Sequence, residues 1–158
     1  MKTAPRARGL RGKDGNHMEY RRFGDTLVIR MDRGEEVLST LTEICEKEGV
    51  GLAEVSALGA VDRAEMAIYD VPTKTFFRKT FEGPMEIGSL VGSVTRKEAK
   101  VYLHLHGVVC DSGLAAHGGH IVSMRVSATC EMIVRVFPGE VGRRMDEAIG
   151  LNVFQFGK

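Results

Sequence analysis

Through most of the chain, apolar and polar residues come in short β-rich runs broken by turn signals, and a helical period of three to four appears clearly once. The run at 26–31 reads as a strand. Asp32-Arg33-Gly34-Glu35 follows it with the spacing of a capping box, an acidic N-cap with a glutamate three residues on, so a helix is expected to begin there. Val37, Leu38, Leu41, Ile44 and Cys45 then share one face, Glu43, Glu46, Lys47 and Glu48 face water, and Gly49 supplies a left-handed stop. Further strands are expected near 52–60, 63–70, 75–81, 85–95, 99–110, 120–137 (with a break or bulge) and 151–156. Pro72-Thr73, Gly83-Pro84, Asp111-Ser112-Gly113 and Pro138-Gly139 mark the turns, and 141–148 reads as a short second helix. The pattern describes an α+β domain, a largely antiparallel sheet with one main helix packed on one face. No internal repeat or low-complexity stretch interrupts it.

Residues 1–17 have no hydrophobic period and combine Lys2, Arg6, Arg8, Arg11 and Lys13 with a single acid, Asp14. They read as a disordered basic extension, a vector remnant or a misplaced start, ahead of one domain at 18–158. The whole chain of 158 residues carries a formal charge of +1, but without this extension 17 basic residues face 20 acidic ones. A net-negative body is a poor partner for phosphate backbones, so any DNA contact is expected through residues 1–17. No apolar run approaches the roughly 18 residues of a membrane span, and the first 25 residues lack the apolar core of a secretory signal. Cys45, Cys110 and Cys130 are odd in number and without paired spacing, which suits free thiols in a reducing compartment and an expected cytoplasmic location.

The chemistry concentrates in one place. In Val101-Tyr102-Leu103-His104-Leu105-His106, strand alternation puts Tyr102, His104 and His106 on one face. Their two imidazoles sit about 6.5–7 Å apart at Cα, close enough to converge on one ion with Zn–N bonds of ~2.0–2.1 Å. Ala116-His117-Gly118-Gly119-His120 brings two more histidines back beside them, and the two-glycine step permits a close backbone approach that could aim His120 at the pair. Three histidines with an open position would make a reactive metal site, and four protein ligands a closed structural one. His117 and Cys110, which shares the parity of His104 and His106, are the further candidate ligands. The alternatives are an anion site, or plain polar residues on a half-exposed face. Glu131 interrupts an apolar run and is a candidate acid/base group or an outward-facing carboxylate. Met66, Met85, Met124 and Met132 read as core or interface filler. There is no P-loop, dinucleotide fingerprint, Cys-x-x-Cys pair or nucleophile elbow.

Three pieces taken in order resemble the plants-and-prokaryotes-conserved (PPC) domain over residues 18–157. They are Met18-Glu19-Tyr20-Arg21-Arg22-Phe23-Gly24 before the capped helix, Ser56-Ala57-Leu58-Gly59-Ala60-Val61, and Leu103-His104-Leu105-His106 through Gly118-Gly119-His120. The resemblance implies an α+β domain assembled as a homotrimer, with the histidine face near a subunit boundary. It also implies a fold similar to α-acetolactate decarboxylase, whose zinc site uses a His-x-His pair and a later Gly-Gly-His. Carried over, the ligands of zinc or another divalent transition metal are His104, His106 and His120. Plant PPC domains are joined to AT-hooks with an Arg-Gly-Arg-Pro core, whereas this chain has Pro5-Arg6-Ala7-Arg8-Gly9-Leu10-Arg11, which lacks it. Three roles are therefore expected to compete: a trimeric metal-binding protein or enzyme acting on a small oxygen-rich molecule, a DNA-associated or regulatory interaction module, and a sensor of a small ligand.

Overall fold

A computed structural model describes residues 8–11 and 17–157 of the chain. The elements in order are β1 (Arg8–Arg11), β2 (His17–Phe23), β3 (Thr26–Asp32), α1 (Val37–Lys47), β4 (Ala53–Asp70), β5 (Thr75–Lys97), β6 (Lys100–Cys110), β7 (Ala116–Val136), β8 (Gly142–Asp146) and β9 (Leu151–Gln155). Seven strands form one antiparallel sheet in the order β1-β2-β3-β7-β4-β5-β6. Because β7 also pairs with β6, strands β4 to β7 close into a circuit. β8 and β9 form a separate hairpin. The expected α+β architecture holds, and among the described residues α1 is the one helix.

The core lies between the inner sheet face and α1. Leu27, Ile29 and Met31 of β3 alternate inward and meet Val37, Leu41, Ile44 and Cys45 of the helix, all essentially inaccessible to solvent. Met66, Met85, Met124 and Met132 are buried in the same core, as filler residues should be. Glu46 ties α1 to the sheet by accepting from Val101 N at 2.6 Å and from Arg96 at 2.6 Å, which fixes the beginning of β6. These bonds hold its carboxyl below the usual range.

Several expectations are corrected. The helix begins at Val37, not at the Asp32 box. Gly34 N donates to Val126 O and Val126 N to Glu35 O, so sheet pairing continues past Asp32 and excludes helical geometry there. Two glutamates divide the capping: Glu35 accepts from Asp32 N, and Glu36, the true N-cap, accepts from Ser39 N and from Met124 N. The strands expected at 52–60 and 63–70 are one strand bent at bulges, and so are those at 75–81 and 85–95. Gly83-Pro84 is not a turn. Pro84 falls where β5 pairs on one side alone, since β6 joins only from Glu86, so its missing N–H breaks no ladder on the open side. The second helix expected at 141–148 is instead strand β8, whose Arg143 is drawn across to Ser93 and Thr95 of β5. Gly49 does end α1 in the left-handed region, at φ 63°.

Within the expected disordered extension, residues 8–11 pair with β2, an addition the hydrophobic pattern gave no sign of. Residues 1–7 and 12–16 lie outside the described residues. Cys45, Cys110 and Cys130 are free thiols. No described helix is long and apolar enough to cross a membrane.

Candidate metal centre

Strand register makes the site. β6 alternates Leu105 inward with His104 and His106 outward, and antiparallel pairing sets His106 directly opposite His120 of β7. The three ring centroids are 5.2, 5.3 and 5.4 Å apart, a nearly equilateral triangle. One ring nitrogen from each falls within 4.8 Å of the others. Ligands on a tetrahedral zinc lie roughly 3.4 Å apart, so modest rotation of the rings closes them on one ion. The histidines fit a metal by donor chemistry as well: three imidazoles, with no carboxylate or thiolate in the set, and room for a fourth ligand.

The neighbourhood keeps two of them, His120 and His104, in the state a metal needs. Burial pushes His120 down to about 4, and the charges of His104, His106 and Arg78 add to it. His104 is lowered for the same first reason, then by His106 and Arg143. Neutral imidazoles at neutral pH have lone pairs free for coordination.

The glycine step has a physical reason. A Cβ on Gly119 would stand 2.7 Å from Ala67 O, a contact that only glycine avoids as β7 squeezes beside β4. Ala67 is the register partner of His120, so this close approach fixes the third histidine.

The triad forms part of the wall of a cavity of about 620 Å³, with Ala67, Ile68 and Tyr69 of β4, Phe76 of β5, Tyr102 and Gly119, and Gly150, Leu151 and Asn152 of the C-terminal hairpin. The Phe76 ring lies 5.7 Å from that of His120 and 4.6 Å from Tyr69. Tyr69 in turn donates to Ile149 O at 2.7 Å, tying the hairpin turn to the cavity rim.

The other sequence candidates are not brought to the triad. His117 is bonded to Asp111 Oδ2 at 2.9 Å and stacked on Phe81 at 4.5 Å, which accounts for its ring without a metal. Cys110, at the far end of β6, does not join the group of converging donors. Glu131 is eleven residues beyond His120 on β7, roughly 35 Å of extended strand away. It faces outward beside Leu58 and Ile133 in a second cavity of about 470 Å³. Sequence reasoning missed the hairpin residues Gly150 and Asn152, and Arg143 behind them. No local signal marked them, because Arg143 bonds to Thr95 and Ser93 about fifty residues away and the cavity wall facing Gly150 and Asn152 comes from distant strands.

Residues 18–138 match the family model of the Plants and Prokaryotes Conserved (PCC, or PPC) domain. The chain belongs to that family. A metal-containing protein from Archaeoglobus fulgidus is 33% identical over 85% of this chain and 96% of its own, with a TM-score of 0.79. A candidate DNA-binding protein from Bacteroides thetaiotaomicron is 27% identical over 88% of this chain and 97% of its own, with a TM-score of 0.86. α-Acetolactate decarboxylase from Bacillus subtilis is 14% identical, covers 83% of this chain and 61% of its own, and at a TM-score of 0.53 shares the fold. No curated protein sequence matches the chain. Within the PPC family, then, this chain has a histidine triad able to hold a metal.

Proposed function

We propose that this PPC-domain protein is a homotrimer of residues 18–158 that holds one divalent transition metal, zinc first, on His104, His106 and His120. At that centre it acts on or senses a small oxygen-rich molecule. The observation that carries the reading is the convergence of three ring nitrogens within 4.8 Å on the wall of a cavity of about 620 Å³. Three imidazoles suit zinc and leave a coordination position open. A bound zinc ion would supply Lewis acidity to an oxygen placed there. The protein's own part is to keep His104 and His120 neutral, to aim His120 through the Gly119 contact, and to line the remaining wall with Ile68, Phe76 and Leu151. The A. fulgidus relative, described as metal-containing, supports the metal. The trimer is supported by the family resemblance and by the exposed apolar side chains Phe23, Val28, Leu58 and Ile133, which together line the second cavity. Free, buried Cys45 and Cys130 support a reducing compartment, the cytoplasm. Glu131, His117 and Cys110 drop to secondary candidates, since a catalytic role needs contact with the reacting group.

Calorimetric titration of zinc into chelator-treated protein tests this reading, with native mass spectrometry of the same sample. One site per chain, abolished in His120→Ala, on a trimer is expected. Absence of saturable binding would remove the metal.

A second reading, DNA association, is favoured by the candidate DNA-binding relative and by the five basic residues in 1–17. Phosphate-driven binding responds to lost positive charge, so a gel shift that is the same with and without residues 1–17 would remove this route.

A further inference from the structure

The hairpin β8–β9 begins after the segment that matches the family model, yet it closes one side of the histidine cavity with Gly150, Leu151 and Asn152. It is held against the main sheet along its length. Arg96 N donates to Val141 O at 3.0 Å, Arg143 Nε to Thr95 Oγ1 at 3.0 Å and Lys74 Nζ to Glu147 O at 2.6 Å. Gly150 lies in the left-handed region, at φ 72°, where an added Cβ would stand 2.7 Å from the Tyr69 hydroxyl oxygen. The turn that delivers Leu151 and Asn152 to the cavity is therefore closely packed.

The wall that the hairpin completes is neutral. No aspartate, glutamate, lysine or arginine lines the cavity, and beyond the three imidazoles its polar side chains are Tyr69, Tyr102 and Asn152. A charged group lying away from the triad would find no side chain of opposite sign and would keep the full cost of leaving water. An ammonium is opposed further by Arg78 and Arg143, whose charges are felt at His120 and His104. The Tyr69 hydroxyl is already committed to Ile149 O at 2.7 Å. Asn152 is not committed: among the described residues its Oδ1 is the one buried side-chain oxygen or nitrogen without a hydrogen-bond partner. A carbonyl oxygen in that state lacks a donor, and the last side-chain torsion of asparagine is soft enough to turn it toward the cavity that the residue lines. A carboxylate has no proton to offer such an oxygen, whereas a hydroxyl has one.

We infer that the ligand of the histidine pocket carries an uncharged hydroxyl that donates to Asn152 Oδ1, and that Asn152 is the residue by which the hairpin selects it. The hydrocarbon part of the same ligand rests on Ile68, Phe76 and Leu151. The inference deepens the proposed function and rests on the histidine pocket being a ligand site. It does not depend on which metal the triad holds.

The test measures binding of cyclohexane-1,2-diol, its dimethyl ether and cyclohexanecarboxylate by calorimetry. It uses zinc-loaded wild type, Asn152→Leu and Asn152→Asp, with zinc content determined for each. Wild type should bind the diol about tenfold tighter than the ether. Asn152→Leu should bring that ratio near one, while zinc content is unchanged and cyclohexanecarboxylate affinity stays within about twofold. Asn152→Asp keeps an acceptor oxygen and should retain a ratio of at least about threefold, a rescue that packing alone would not produce. Equal affinity for diol and ether in wild type, an unchanged ratio in Asn152→Leu, or no binding of the diol at about 50 mM overturns the inference. Should Asn152→Leu fail to fold, the wild-type ratio and Asn152→Asp still decide it. If wild type takes up no zinc, the metal reading fails by itself, and the diol-to-ether ratio on metal-free protein still tests the hydroxyl contact.

Discussion

Strand β7 serves two different faces of the molecule. At one end it gives His120 to a pocket where three imidazoles converge, desolvation holds His120 and His104 neutral, and the C-terminal hairpin forms one wall. At the other end it gives Glu131 and Ile133 to an open patch with Leu58, Phe23 and Val28, where Leu58 is 60% and Ile133 44% exposed. Ion pairs at that patch, Arg30 with Glu19 and with Asp32, are solvent-exposed and contribute little to stability. The first face has convergent donors and shifted titrations, which is what chemistry needs. The second has apolar area without convergence, which is what a partner surface needs. A carboxylate isolated on the second face is therefore no evidence of catalysis.

Four changes would break or sharpen that contrast. The largest effect is expected from Gly119→Ala, because the added Cβ meets backbone, Ala67 O at 2.7 Å. A loss of about 3 kcal/mol in denaturant unfolding and the loss of metal uptake should follow. Gly118→Ala is the milder comparison, since its added Cβ would lie 3.2 Å from Val108 Cγ2 and 3.3 Å from Gly107 O, contacts relieved by a shift of a few tenths of an ångström, and should cost about 1 kcal/mol. Next, Leu58→Asp with Ile133→Asp should shift native mass from trimer toward monomer while metal content stays unchanged. Loss of metal in that variant would show the two faces to be coupled.

The third is acidification of metal-free protein. His120 in the folded chain is held at about 4, below its ordinary 6.5, so the unfolded chain takes up the proton first. Stability from this group is full above pH 6.5 and is lost as pH falls toward 4, which thermal melts across that range would reveal. A melting temperature that rises on acidification would contradict the burial argument. The smallest effect is expected from His117→Ala. Its Asp111 partner is partly exposed, so a change within about 1 kcal/mol and undiminished metal binding should be found by melting and zinc titration.

Much of the histidine face was legible in the sequence because strand parity is local. Once 99–110 reads as a strand, Tyr102, His104 and His106 must share a side, and the glycine step before His120 signals close approach. The helix face was legible for the same reason, through Val37, Leu41 and Ile44. Its start was not, since the pairing of Gly34 and Glu35 with Val126 is a long-range contact that local capping chemistry does not reveal. The strand expected at 151–156 is β9, but residues 141–148 carry no clear period and read as helix, because what makes β8 a strand is its pairing with β9 and the reach of Arg143 to β5. Bulges likewise join runs that look separate, and only the neighbouring strands reveal it.

The central claim is tested most directly by elemental mass spectrometry of protein purified without chelator, wild type beside His104→Ala/His106→Ala. Metal near one ion per chain in wild type and background in the variant is the predicted result. Equal metal content in the two, or none in wild type even after incubation with zinc, would contradict it.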